Sequence, residues 1–122
     1  MGGLRDRPVL LVEDEFLIAM EMEFSLTDAG GHVLGPAKTV DEAMSLIDTR
    51  LPALAVLDYR LLGGETSLPL ARALDERGIP FLFHTGNATA EELHAHHPGV
   101  PVLTKPTTTT QLISACEALL ED

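Results

Sequence analysis

The sequence predicts an α/β domain in which helices cover both faces of a parallel sheet. Three observations indicate this class. Short apolar runs alternate with segments of helical periodicity five times along the 122 residues. The apolar runs are continuous rather than alternating with polar residues, which is typical of strands buried on both faces. The length suits one domain with a proper core, and no linker or repeat divides it.

Five apolar runs are predicted as strands. They cover residues 8–12, 32–35, 54–58, 79–84 and 100–104. The third run, Leu54-Ala55-Val56-Leu57-Asp58, is the central one, because it passes from four apolar residues directly into a carboxylate. In open parallel sheets the carboxyl ends of the strands form the edge where ligands and chemistry collect.

The segments between the strands carry helix start and stop signals. The predicted helices cover residues 16–29, 39–50, 69–77 and 89–97, and a last helix carries an apolar stripe from residue 112 to residue 120. Thr39 with Glu42, and Thr89 with Glu92, have capping-box spacing. Glycines and prolines end the first four helices: Gly30-Gly31, Pro52, Gly78 and Pro98-Gly99. One of the four threonines at 107–110 is expected to cap the last helix, and the sequence does not decide which.

Composition limits the functional classes. The net charge of −11 disfavours contact with nucleic acid. No apolar stretch is long enough to span a membrane, and no signal peptide precedes the first strand, so we expect a cytoplasmic protein. The single cysteine, Cys116, has no partner for an intramolecular disulfide. Residues 1–7 are expected to form a flexible lead.

Polar residues follow four of the strands, and right-handed crossovers bring these strand ends to one edge of the sheet. The residues are Glu13, Asp14, Asp58, Thr85 and Lys105. Three carboxylates in one cleft repel each other unless a cation neutralises them, and Mg²⁺ is the usual hard cation beside a phosphate. We therefore expect Mg²⁺ at the three acids.

The same residues suit phosphoryl transfer, which mainly requires in-line positioning of the reacting groups and neutralisation of the phosphoryl charge. Asp58 is the candidate nucleophile, since carboxylates form covalent phosphoryl intermediates. Lys105, the Thr85 hydroxyl and a nearby backbone amide such as that of Gly86 are candidates to bind the phosphoryl oxygens. Taken singly, each residue has a structural explanation as a loop, turn or surface residue.

The ordered set of motifs resembles the receiver domain of two-component response regulators over nearly the whole chain. The motifs are Leu11-Val12-Glu13-Asp14-Glu15, Leu57-Asp58, Thr85-Gly86 and Lys105-Pro106. The resemblance implies a flavodoxin/CheY-like, doubly wound sheet of order 2-1-3-4-5 and a single receiver domain over residues 1–122. The loop from Leu61 to Glu65 and the Thr85-Gly86 pair resemble those of the short stand-alone receivers of alphaproteobacteria.

The resemblance also implies an activity and a set of site residues. Asp58 would accept a phosphoryl group from a phosphohistidine on a sensor histidine kinase or phosphotransfer protein. The domain would catalyse its own phosphorylation and dephosphorylation without being a turnover enzyme. The implied metal ligands are Glu13, Asp14, Asp58 and the carbonyl oxygen of Arg60; Gly86 and Tyr59 would bind phosphate; Arg60, Asn87 and His84 would tune the lifetime of the phosphorylated state. The Lys105-Pro106 peptide is expected to be cis.

Two departures from the receiver pattern leave alternatives open. Val102 stands where an aromatic residue commonly precedes the lysine by three positions, and the loop at 61–65 lacks the usual proline. A receiver-like module that binds partners independently of phosphate is therefore the alternative function. An Mg²⁺-dependent phosphohydrolase ranks below both, because Arg60 replaces the second acid that it would need. The cognate kinase, the downstream protein and a phosphorylation-linked homodimer are not decided by the sequence.

Overall fold

The computed structural model describes residues 3–121, and at Asn87 and Ala88 it describes the backbone alone. Five strands and five helices alternate along this part of the chain, as predicted. The elements are β1 (Pro8–Val12), α1 (Phe16–Asp28), β2 (His32–Ala37), α2 (Val40–Thr49), β3 (Leu54–Leu57), α3 (Leu68–Glu76), β4 (Phe81–Thr85), α4 (Asn87–His96), β5 (Val102–Thr104) and α5 (Thr109–Leu120). A short 3₁₀ turn, Leu62–Gly64, lies between β3 and α3.

The five strands form one parallel sheet of order β2-β1-β3-β4-β5, which confirms the predicted order. Helices α1 and α5 pack on one face, and α2, α3 and α4 pack on the other. The central strand β3 supplies both cores because successive side chains point to opposite faces. Leu54 and Val56 belong to the α1/α5 core, whereas Ala55 and Leu57 belong to the opposite core, and all four are fully buried.

The helix ends show which capping signals were interpreted correctly. Gly30 and Gly31 end α1 in a Schellman motif, in which their amides donate to the carbonyls of Thr27 and Leu26, both at 2.9 Å. Thr108 is the threonine that caps α5, and it forms a reciprocal capping box with Gln111.

The two predicted capping boxes differ from the structure. At α2 the box is half formed, because the Thr39 hydroxyl accepts from the Glu42 amide but the Glu42 carboxylate accepts from the Lys38 amide. At α4 the prediction was wrong: the helix begins at Asn87 with Gly86 as N-cap. Thr89 lies within the helix, where its hydroxyl accepts a hydrogen bond from a distant arginine instead.

Residues 3–7, which the sequence predicts as a flexible lead, contact the core and the end of α1 in the structure. Leu4 is fully buried in the α1/α5 core. The Arg7 amide donates to the Leu4 carbonyl, and the Asp6 amide donates to the Gly30 carbonyl, both at 2.9 Å. An apolar side chain within reach of the sheet is enough to hold this segment, since burying a leucine is worth about 2 kcal/mol.

None of the helices in the described part of the chain is long and apolar enough to cross a membrane.

Candidate functional site

The backbone fixes the predicted site residues at the carboxyl edge of the sheet. The Asp58 amide donates to the Val12 carbonyl at 2.9 Å, which extends the pairing of β1 and β3 by one residue. The Lys105 amide donates to the Thr85 carbonyl at 2.7 Å, which does the same for β4 and β5. The residues just past β3 and β5 are therefore held in place by main-chain hydrogen bonds.

Glu13 is positioned by an irregularity in β2 that the sequence did not reveal. Gly35 has a φ of 107°, and a Cβ there would lie 2.8 Å from the Leu11 carbonyl oxygen, so glycine is required. The register between β1 and β2 shifts at this point, and β2 continues to Ala37. The Ala37 carbonyl accepts the Glu13 amide at 2.9 Å, which orients the acid into the site.

Lys105 reaches across the sheet edge to two buried carboxylates. Its Nζ lies 3.0 Å from Asp58 Oδ2 and 3.2 Å from Glu13 Oε1. Glu15, whose role the sequence did not suggest, lies 3.8 Å from the same ammonium and donates its amide to Glu13 Oε2 at 3.1 Å. The predicted convergence of a lysine on the Asp58 carboxylate is thus present in the structure.

Burial makes this cluster electrostatically strained. Glu13 is 1% exposed and Asp58 is 5% exposed. Burial, followed by the negative charge of Glu13, raises the pKa of Asp58 to about 7, although Lys105 opposes this. Burial would also raise the pKa of Glu13, but contacts with His84, with the Glu15 amide and with Lys105 lower it to about 2. The pKa of Glu13 therefore falls while that of the neighbouring Asp58 rises.

The pKa values of Asp14 and Lys105 are both raised in this cluster. Burial and the charge of Glu13 raise the pKa of Asp14. Burial would lower the pKa of Lys105, but the bond to Asp58 and the charges of both acids outweigh it and raise that pKa. A single ammonium shared by several carboxylates indicates a local excess of negative charge.

The acidic cluster has the composition and spacing of a divalent cation site. One carboxylate oxygen from each of Glu13, Asp14 and Asp58 lies within 4.8 Å of the others. Oxygen ligands of this kind suit Mg²⁺. Among the buried side-chain atoms that the structure describes, Glu13 Oε1 has no hydrogen-bond partner, which leaves an acceptor for further coordination. The residues therefore fit the predicted ion.

The predicted phosphate-binding residues lie around the same edge. Thr85 ends β4 and is 2% exposed. Gly86 is exposed and caps α4, with its carbonyl accepting the Ala90 amide at 2.8 Å. The Tyr59 ring packs edge-on against Phe83, with ring centroids 5.7 Å apart, so its side chain is part of the core.

The predicted tuning residues differ in their positions. Arg60 extends to α4, where Nε donates to the Thr89 hydroxyl at 3.1 Å and Nη2 lies 3.7 Å from Glu92. The sequence did not suggest this link between the loop after Asp58 and α4. His84 is buried beside Glu13. Asn87 begins α4, and its side chain lies outside what the structure describes.

Two further predictions concern the segment around β5. The Lys105-Pro106 peptide is cis, as the resemblance implied, and Gly35-Pro36 is a second cis peptide that was not predicted. Val102 is half-buried and packs against the core that contains Phe83. A small aliphatic side chain thus occupies the position where receivers commonly carry an aromatic ring.

An apolar surface lies next to the acidic cluster. Four large apolar side chains of α1 are at least half exposed: Phe16, Leu17, Met20 and Phe24. A groove of about 880 Å³ runs between α1 and the segment from Lys105 to α5. His84 and Lys105 contribute to its lining, so the groove opens onto the site.

Sequence and structure comparisons identify related proteins. SdrG from Sphingomonas melonis Fr1 is 38% identical, with 99% of this chain and all of SdrG covered and a TM-score of 0.82. Its beryllofluoride-activated conformation matches with a TM-score of 0.79 over 93% of this chain and 96% of that one. The anti-anti-sigma factor PhyR from Bartonella quintana is 29% identical over 93% of this chain and 47% of its own, with a TM-score of 0.79.

A curated relative, the phyllosphere-induced regulator PhyR from Methylorubrum extorquens, is 33% identical over 79 residues. That match covers 63% of this chain and 30% of PhyR, so the chain corresponds to part of that regulator. No family model matches the sequence.

The parallel 2-1-3-4-5 sheet, with acids and a lysine at its carboxyl edge, defines a CheY-like receiver fold. SdrG matches over essentially its full length and well above 30% identity. The chain belongs to the response regulator receiver domain family of two-component signalling.

Proposed function

We propose that this receiver accepts a phosphoryl group on Asp58 from a phosphohistidine of a histidine kinase or phosphotransfer protein, and that phosphorylation switches its protein interactions. The observation that carries the proposal is the buried Asp58 carboxylate, held 3.0 Å from Lys105 Nζ within a cluster of acids. A structural ion pair would need one carboxylate, whereas this site gathers three around one ammonium.

Each residue of the site has a separate role in the phosphoryl transfer. An Asp58 oxygen attacks phosphorus as the bond from phosphorus to the donor nitrogen breaks and its electron pair stays on that nitrogen. Lys105 neutralises charge on one phosphoryl oxygen, and Thr85 with the Gly86 amide contacts another. Mg²⁺ bound by Glu13, Asp14, Asp58 and the Arg60 carbonyl would neutralise further charge and keep Asp58 ionised.

The apolar face of α1 supports a protein rather than a small molecule as the phosphoryl donor. Phe16, Leu17 and Phe24 are each more than 60% exposed, which is unusual for side chains of this size unless a partner covers them. The groove beside them leads to Lys105. A helical partner placed on this face would bring its phosphohistidine to the edge of the sheet.

Relatives support a switching role at a coarser level. SdrG has a beryllofluoride-activated conformation, and the Bartonella PhyR is an anti-anti-sigma factor. By analogy, we propose that the output of this chain is a change in binding to another regulatory protein. Because Val102 is small, the contact between Arg60 and Thr89 is the better candidate for relaying the change at Asp58 to α4.

The test is labelling with a radioactive small phosphodonor in the presence of Mg²⁺. The wild-type chain should acquire an acid-stable, base-labile phosphoryl group. Asp58→Asn should abolish labelling, and Lys105→Met should reduce it strongly. Asp48→Asn, a neutralised carboxylate on an exposed site of α2, is the matched control and should label like the wild type.

Equal labelling of Asp58→Asn and the wild type would refute the proposal. The phosphate-independent alternative makes a separate prediction, motivated by Val102. It requires that beryllofluoride leave the amide spectrum of α4 and β5 unchanged even when it binds at Asp58.

A further inference from the structure

An imidazole lies buried beside the acidic cluster. His84 belongs to β4, and its side chain is on the same sheet face as Leu82, towards α1 and α5. It is 4% exposed, and its Nδ1 lies 3.8 Å from Glu13 Oε1. Burying a polar ring is unfavourable unless its nitrogens have hydrogen-bond partners, so a buried histidine at this position is expected to have one.

The two facing atoms share one deficiency. Among the buried side-chain atoms in the described part of the chain, Glu13 Oε1 and His84 Nδ1 both lack a hydrogen-bond partner. Lys105 Nζ is 3.2 Å from the same oxygen, but outside hydrogen-bonding geometry. A carboxylate oxygen accepts, and Nδ1 donates when it carries the proton. A side-chain shift of less than 1 Å would satisfy both atoms at once.

Glu13 would then be held at both oxygens. Oε2 already accepts the Glu15 amide at 3.1 Å. A donor on Oε1 removes the remaining freedom of the carboxylate to rotate. Partners of this kind orient metal ligands and raise their affinity for the ion.

We propose that His84 is a positioning residue for the cation site, whose Nδ1–H holds the Glu13 carboxylate in the orientation that binds a divalent ion. This inference rests on the cation site of the proposed function. His84 itself touches neither the ion nor the phosphoryl group. It acts through Glu13.

The test compares two substitutions by their affinity for Mn²⁺, measured at one fixed pH from the free-ion electron paramagnetic resonance signal. His84→Leu fills a similar volume without a donor and should weaken Mn²⁺ binding about tenfold. His84→Asn places an amide nitrogen near the position of Nδ1 and should stay within about threefold of the wild type. Leu82→Val, on the same face of the same strand, is the control for altered packing and should bind like the wild type.

The proposal is overturned if His84→Leu binds Mn²⁺ as tightly as the wild type, or if His84→Asn binds as weakly as His84→Leu. Nitrogen NMR of the wild-type ring gives a readout that needs no variant to fold. It should show the proton on Nδ1, and a ring with an unprotonated Nδ1 would overturn the proposal. If the wild type itself binds no Mn²⁺, the cation site fails, and the protonation of Nδ1 still decides whether His84 holds Glu13.

Discussion

Neutralising Asp58 should stabilise the metal-free protein at alkaline pH. Asp58 has its pKa raised from 3.8 to about 7, chiefly by burial and by Glu13. In the folded state it therefore holds its proton where the unfolded chain has lost it, so stability falls as pH rises from about 4 to 7. Such a rise corresponds to about 4 kcal/mol at pH 8, since one pKa unit is worth about 1.4 kcal/mol.

The attraction of Lys105 already lowers this pKa, so the loss of its bond to the carboxylate is included in that figure. We therefore expect Asp58→Asn to raise the free energy of unfolding at pH 8 by about 3–4 kcal/mol, or roughly 10–15 °C in Tm for a chain of this size.

The assay is thermal unfolding followed by circular dichroism, with chelator present, at pH 8 and pH 5. At pH 5 the folded protein keeps the Asp58 proton, and the unfolded chain is only about one pH unit above its pKa of 3.8, so the gain should fall to about 1–2 kcal/mol. Asp48→Asn removes an exposed charge and should leave Tm within about 1–2 °C at both pH values. The reasoning is refuted if Asp58→Asn is no more stable than the wild type at pH 8, or if its gain is as large at pH 5.

Three further predictions concern the ion, the amino-terminal segment and α4. Because protons compete for Asp58 below pH 7, calorimetry should find Mg²⁺ binding about tenfold weaker at pH 6 than at pH 8, and equal affinities would contradict the pKa of about 7. Leu4→Ala should lower the free energy of unfolding by about 2–4 kcal/mol in urea titrations, whereas Leu62→Ala, at an exposed site, should change it by less than about 0.5 kcal/mol. Arg60→Ala and Thr89→Val should both speed amide exchange in the first turn of α4 while changing stability by less than about 1 kcal/mol; unchanged exchange in both would exclude the contact as a link.

The sheet was predictable because its signals are local and redundant. A strand such as β3 is fully apolar and is flanked by breakers, so no other element fits it. The Schellman end of α1 follows from two adjacent glycines. The convergence of Asp58 and Lys105 also follows, because parallel strands bring their carboxyl ends to one edge whatever their separation in sequence.

The failures arose where a tertiary contact outweighed a local signal. Thr89 and Glu92 have capping-box spacing, but the Thr89 hydroxyl accepts a hydrogen bond from Arg60 instead. The helix begins earlier, at Asn87, with Gly86 as its N-cap. Leu4 appeared isolated among charges, yet one apolar residue close to β1 is sufficient to be drawn into the core.

Two parts of the site also escaped prediction. The left-handed Gly35 that helps to place Glu13 lies in a short run that was interpreted as a plain strand. His84 and Glu13 are 71 positions apart in the sequence, and no spacing rule predicts that their side chains face each other.

The central claim is that Asp58 is the phosphoryl acceptor, and its most direct test is to locate the modified residue. The chain would be phosphorylated by a small phosphodonor with Mg²⁺, reduced with borohydride to convert the acyl phosphate into a stable alcohol, digested and sequenced by mass spectrometry. The proposal predicts homoserine at position 58 and unmodified Glu13 and Asp14. Reduction at any other acid, or none in a chain shown to be folded and loaded with Mg²⁺, would contradict it.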